Sequence, residues 1–288
     1  IEVRSATAPR CLQSAIANLA GFYAKSHTHP LNDVSWPVDW TPVPVHSVPK
    51  KDDRQLEAGH KCDRAQTLQT EREQKLKFLD FIAENWNIFG VLGAYGGEPK
   101  VDPTFETIHD FQKTIKIEKY YHNLTLPSWI TEDLYEQAED AVLQGSDYVA
   151  GAAGFGEAAD DELLKLMGGF LLKEWLDNLD SASQGNYTMY KPYSAHDKTI
   201  VALLHTLGAK FDVLGNGIPE YAATILCELW KSDGRFYVKF YYMDDAYSEQ
   251  RSITKFVRGC SNQPDNCALD DFANNVSQYK AKNKDCDK

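Results

Sequence analysis

No stretch of the 288 residues approaches the ~18 consecutive apolar positions that a membrane-spanning helix needs, so no such helix is expected. Cysteine occurs six times, at Cys11, Cys62, Cys227, Cys260, Cys267 and Cys286, never as Cys-x-x-Cys and never in a cluster with histidine at zinc-site spacing. No metal and no cofactor are therefore expected, and disulfides are the simpler use of these residues. Basic charge is also short. Lys and Arg number 30 against 42 Asp and Glu, a net charge of −12, which argues against the basic face that neutralising the phosphates of a nucleic acid needs. The plainer reading of that acidity is solubility. Internal repeats and low-complexity segments are absent, and Ile1-Glu2-Val3-Arg4 lacks the basic-then-apolar pattern of a leader, so it reads as the start of a mature chain.

What is present is an ordinary globular composition, 43% hydrophobic and 25% charged, long enough for one large domain or a core carrying a smaller insertion. Three glycosylation sequons, at Asn123, Asn186 and Asn275, join the cysteines in pointing to a secreted, extracellular protein.

Val3 to Ser5 reads as a strand, and Thr7-Ala8-Pro9 then supplies a cap and a first-turn proline for a helix with Leu12, Ala15, Ile16 and Leu19 inside and Gly21 at its end. The arrangement recurs later. Residues 187–193 read as a strand, and Ile200, Val201, Leu204 and Leu207 line a helix closed by Gly208. Arg4 and Ser194-Ala195-His196-Asp197 thus fall at two strand-to-helix junctions, where open α/β sheets place ligands. Between them helices are expected over residues 71–89, after a Thr131 cap, and over about 160–179. After them, Ser232-Asp233-Gly234-Arg235 marks a hairpin. The expected organisation is an α/β core of residues 1–49 and 185–288 with a mostly helical cap, 50–184, inserted into it.

The segment Tyr193-Ser194-Ala195-His196-Asp197-Lys198-Thr199 resembles the second active-site motif of the histidine acid phosphatases. Val3-Arg4-Ser5, the run from Trp40 to Pro49, the run from His122 to Trp129 and Gly168-Gly169 follow the family's order. The resemblance implies a three-layer α/β core around a central, mostly parallel sheet. It casts Arg4 as a phosphate-holding arginine, His196 as a second phosphate ligand and Asp197 as the proton donor to the leaving alcohol. It also pairs Cys62 with Cys286 and Cys260 with Cys267, and leaves open whether Cys11 and Cys227 join or stay as thiols. Taken singly, the same residues have plain roles: Asp197 completes a Ser-x-x-Asp capping box with Ser194, His196 is an ordinary histidine and Arg4 a surface arginine.

The family's nucleophile is the histidine of an Arg-His-Gly motif on the first strand, and no Arg-His pair occurs in these residues. Acidic residues that the family carries after Val-Arg-Ser are replaced by Thr7 and Pro9. The first strand is then missing, and either its two neighbours pair directly or another segment fills the gap. On this reading the chain is most similar to the inactive salivary acid phosphatase-like proteins of blood-feeding fleas. It is expected to be a pseudoenzyme, a scavenger whose partner is a small-molecule ligand, either a biogenic amine such as serotonin or a cysteinyl leukotriene. The ligand would be bound by Arg4, His196 and Asp197 beneath Tyr120, Tyr121 and Trp129. The alternative is an active enzyme hydrolysing phosphomonoesters, whose Arg-His-Gly segment lies outside these residues.

Overall fold

A computed structural model describes residues 1–24, 41–96, 102–263 and 265–287; Trp40, at the head of one family-like run, lies outside them. The chain divides into two compact units, Ile1–Ala65 with Leu164–Lys288, and Gln66–Leu163.

The first unit opens with strand β1 (Val3–Ser5), helix α1 (Pro9–Tyr23) and strand β2 (Val45–Ser47). Pro9 occupies the first helical position, where its missing N–H costs nothing. That start sets the phase of α1. Cys11, Ala15 and Leu19 face inward at four-residue spacing, whereas Ile16, expected inside, is 44% exposed and Leu12 only half-buried. Gly21 does not end the helix, which runs on to Tyr23.

The second unit is helical. It comprises α2 (Asp63–Glu73, whose first turn belongs to the first unit), α3 (Leu76–Glu84), α4 (Trp86–Tyr95), α5 (Phe105–Lys116), a π-helical turn over Ile117–Tyr121 and α6 (Glu132–Val149). The single helix expected over 71–89 is broken twice. Lys75 is extended, and the Asn85 side chain donates to the Phe81 carbonyl at 2.9 Å in place of a backbone N–H. Thr131 caps α6 as expected, its hydroxyl accepting from Leu134 N at 3.2 Å. Phe78, Phe81, Ile88, Phe105, Ile108, Phe111, Val142 and Tyr148 form the core. Arg72 is buried beside it, with its guanidinium 4.0 Å over the Tyr148 ring and donating to the carbonyls of Tyr148, Ala152 and Ala158.

Helix α7 (Asp161–Ser183) returns the chain to the first unit, followed by β3 (Tyr193–Ser194), α8 (Asp197–Leu207), α9 (Lys210–Leu214), β4 (Thr224–Ser232), β5 (Arg235–Met243), β6 (Arg251–Ser252), β7 (Cys267–Ala268) and α10 (Leu269–Val276). The helical unit is shorter than the expected 50–184. Leu164, Leu171, Leu172, Leu176 and Leu179 of α7 pack with Leu203, Leu204, Leu207, Phe240 and Phe272, which draws most of that helix into the core of the first unit.

The parallel sheet has the order β2-β1-β3, with Arg4 opposite both His46 and Tyr193. β1 and β3 pair directly, the first of the two arrangements expected for them. The strand expected over 187–193 shrinks to two residues because Pro192 has no N–H to give to a ladder. Beside this sheet stands an antiparallel one, β4-β5-β6 with β7 also on β5. Its hairpin turns at Asp233 and Gly234, with φ of 49° and 76°, the positive angles an Asp-Gly turn supplies. Gly208, at φ 75°, ends α8 in the left-handed conformation. Cys62 is bonded to Cys286 and Cys260 to Cys267, while Cys11 and Cys227 are free thiols.

Candidate active site

Two junctions meet at the carboxyl edge of the parallel sheet. After β1 the chain turns through Ala6-Thr7-Ala8 into α1, and after β3 it turns through Ala195-His196 into α8. Because β1 and β3 are neighbours, both helices present their N-termini, the positive ends of their dipoles, on the same side. Side chains lock the junctions together. Ser194 Oγ donates to the Cys11 carbonyl at 2.8 Å, and Cys11 Sγ donates to the Ala195 carbonyl at 3.3 Å. Ser194 therefore does not cap α8 with Asp197. The capping residue is His196, whose N–H donates to Thr199 Oγ1 at 3.3 Å.

Arg4 projects from the middle of β1. Its Nη2 donates to Asp53 Oδ1 at 2.6 Å, and the Asp53 side chain has no exposed surface. The same oxygen accepts from Gln55 N and Leu56 N, each at 3.1 Å. Arg4 Nε is buried and finds no protein acceptor among the described residues.

His196 is held on both ring nitrogens, with Nε2 3.1 Å from Glu57 Oε1 and Nδ1 3.3 Å from Arg10 Nη2. Cys11 Sγ lies 3.7 Å from the same Nδ1. Burial pushes the Cys11 thiol above its ordinary value; Arg10 opposes this, while Glu57 and Asp197 add to it. It is a thiol rather than a thiolate. Asp197, the first residue of α8, is half-buried and accepts from Lys198 N at 2.9 Å.

Arg4, His196 and Asp197 thus stand at one sheet edge, in keeping with their order in the family motif. Asp53, Glu57, Arg10 and Cys11 were not found from the sequence as members of this cluster. The signal for the first two is positional, since they follow β2, whose carboxyl end lies beside that of β1. The aromatic residues expected over a ligand belong to the helical unit, where Tyr120 and Tyr121 are exposed. Trp129 stacks on Tyr95 and Phe111, and Tyr120 tilts against Tyr135. Among the described residues no cluster of three or more His, Cys, Asp or Glu is arranged to hold a metal ion, and no helix is long and apolar enough to cross a membrane. The sequon residues Asn123, Asn186 and Asn275 are exposed.

Residues 1–243 match the family model described as histidine phosphatase superfamily (branch 2). The chain belongs to that superfamily. Within this branch 2 family it is 31% identical to prostatic acid phosphatase of Homo sapiens, over 95% of this chain and 66% of the relative. It is 30% identical to prostatic acid phosphatase of Bos taurus, over 91% and 64%, and 31% identical to lysosomal acid phosphatase of Rattus norvegicus, over 94% and 60%. The chain spans about two thirds or less of the length of these branch 2 relatives.

These matches overturn two expectations. The pseudoenzyme reading rested on a motif not found in these residues, but the relatives are named acid phosphatases. The chain covers only 60–66% of them, so the lack of one motif from this stretch is no argument against catalysis. The scavenger of serotonin or leukotrienes, and the salivary role attached to it, rested on the supposed loss of activity and falls with it.

Proposed function

We propose that the protein is an acid phosphatase of the secretory pathway that hydrolyses phosphomonoesters. The observation that carries this reading is the placement of Arg4 and the His196-Asp197 pair at the carboxyl ends of adjacent parallel strands, each strand running straight into a helix N-terminus. Two helix N-termini and the Arg4 guanidinium, itself paired with Asp53, offer N–H donors at that edge, which suits the oxygens of a phosphoryl group. Arg4, held in place by Asp53, binds phosphate oxygens, and His196 binds another. Asp197, at the start of α8, gives its proton to the leaving alcohol. The histidine that accepts the phosphoryl group in this family belongs to the Arg-His-Gly segment, which is not among residues 1–288. Two disulfides and three exposed sequon asparagines support passage through an oxidising compartment.

The test is turnover of an aryl phosphate at about pH 5 by the protein expressed from its full transcript, beside the Asp197→Asn variant. The wild type should turn over, and the variant should lose about 10²–10⁴ in kcat, the range for removing a general acid. No turnover by the wild type sinks the reading; unchanged kcat in Asp197→Asn removes that residue from the chemistry.

A further inference from the structure

We infer that Glu57 is the positioning residue for His196. This inference rests on the phosphatase reading, and it concerns a residue that the family motif does not supply. A guanidinium only donates hydrogen bonds, so Arg10 at 3.3 Å makes His196 Nδ1 an acceptor and leaves the ring proton on Nε2, which donates to Glu57 Oε1 at 3.1 Å.

The two sides of the ring differ in access. Glu57 and His196 are nearly buried, with 11% and 14% of their side chains exposed, whereas the contact with Arg10 lies in the open. Nε2 is therefore the anchored nitrogen, and Nδ1 is turned toward the exposed Arg10 contact, with Cys11 Sγ 3.7 Å away. The anchor is built into the fold. Leu56, next to Glu57, is pinned from two directions: its N–H donates to Asp53 and its carbonyl accepts from Thr199 Oγ1 of α8 at 2.7 Å. Glu57 is thereby fixed to the helix that begins with the His196-Asp197 pair.

Phosphate arriving at the open side displaces the Arg10 contact. To donate to a phosphate oxygen through Nδ1, the ring must carry protons on both nitrogens, and Glu57 is the carboxylate that such an imidazolium faces. The second proton comes from solvent, and no bond other than hydrogen bonds is made or broken. Glu57 touches no reacting atom and acts through the orientation of His196.

The experiment uses the full-length protein with ¹⁵N-labelled histidine, as wild type and as Glu57→Ala and Glu57→Gln. It reads the His196 ring nitrogens by NMR with and without inorganic phosphate, and kcat and KM on an aryl phosphate. In the wild type, His196 should show its proton on Nε2, and phosphate should perturb Nδ1. Glu57→Ala should abolish the fixed Nε2–H signature and raise KM at least tenfold, with a smaller change in kcat. Glu57→Gln keeps an acceptor oxygen and should restore the signature and most of the KM. Identical His196 signals in Glu57→Ala and wild type, or a phosphate response at Nε2 instead of Nδ1, would overturn the inference even where the wild type turns over substrate. If the wild type has no activity but the ring signals respond as expected, the phosphatase reading fails while the Glu57 anchor stands.

Discussion

Arg4 owes its position to a carboxylate 49 residues further on. Asp53 Oδ1 accepts from Arg4 Nη2 and from two backbone N–H groups, so removing it strands a largely buried cation and uncovers the donors of Gln55 and Leu56 together. Breaking a buried pair by deleting one member costs several kcal/mol, and Arg4, with a fifth of its side chain exposed, recovers part of that by turning to solvent. Asp53→Ala is expected to lose about 2–4 kcal/mol of unfolding free energy. Asp53→Asn, which still offers an oxygen to the two N–H groups, should lose about half as much. Urea unfolding of the two variants checks both values, and a loss below about 0.5 kcal/mol in Asp53→Ala shows that the pair does not hold the arginine. Arg4, His196 and Asp197 were legible in the sequence because each sits in a short motif whose neighbours set the local strand-to-helix turn. Asp53 and Glu57 were not, because loop residues take their meaning from what the fold brings beside them.

At the scale of elements, the close approach of α7 to its neighbours depends on Gly168 and Gly169. A Cβ on Gly168 would lie 2.3 Å from the Ala202 carbonyl oxygen of α8, and one on Gly169 2.0 Å from the Tyr279 carbonyl oxygen. Both are backbone atoms, which cannot swing aside as the tip of a side chain can. Glycine inside a helix costs about 1 kcal/mol relative to alanine, yet overpacking a core costs about 1–3 kcal/mol, so the steric term wins. Gly169→Ala should lower stability by about 1–2 kcal/mol net. Gly93→Ala in α4, where nothing lies within 4 Å of the added carbon, should raise it by about 0.5–1 kcal/mol. Thermal unfolding of the pair settles the matter, and a stabilised Gly169→Ala would show that α7 has room to shift. The same elements show where periodicity reads well. The long apolar stripe of α7, the Gly208 stop and the Asp-Gly hairpin followed from local chemistry. The breaks at Lys75 and Asn85 did not, since the inward-facing residues of α3 and α4 keep a helical spacing across them. The short β3 was hidden because aromatic residues around 187–193 resemble a strand, while pairing is decided by the neighbour and by Pro192.

For the whole molecule, the two disulfides differ chiefly in the length of chain they close. Cys62–Cys286 spans 224 residues and ties the C-terminal end to the segment from which the chain leaves for the helical unit, whereas Cys260–Cys267 spans 7. If a cross-link acts by restricting the unfolded chain, its effect grows with the logarithm of the loop, giving about 5 kcal/mol for the long bond and about 2.5 kcal/mol for the short one. The helical unit lies inside the long loop and modifies this sum: if it stays folded while the first unit opens, its 98 residues no longer count as free chain, yet the loop remains far longer than the other. The order is therefore robust. A Cys62→Ser/Cys286→Ser double variant should lose about 10 °C or more in Tm, clearly more than Cys260→Ser/Cys267→Ser, on the usual scale of about 2–4 °C per kcal/mol for a chain of this size. Equal losses in the two double variants would mean that the long bond is a local clamp on the α2 and C-terminal contacts instead of a constraint on the unfolded molecule.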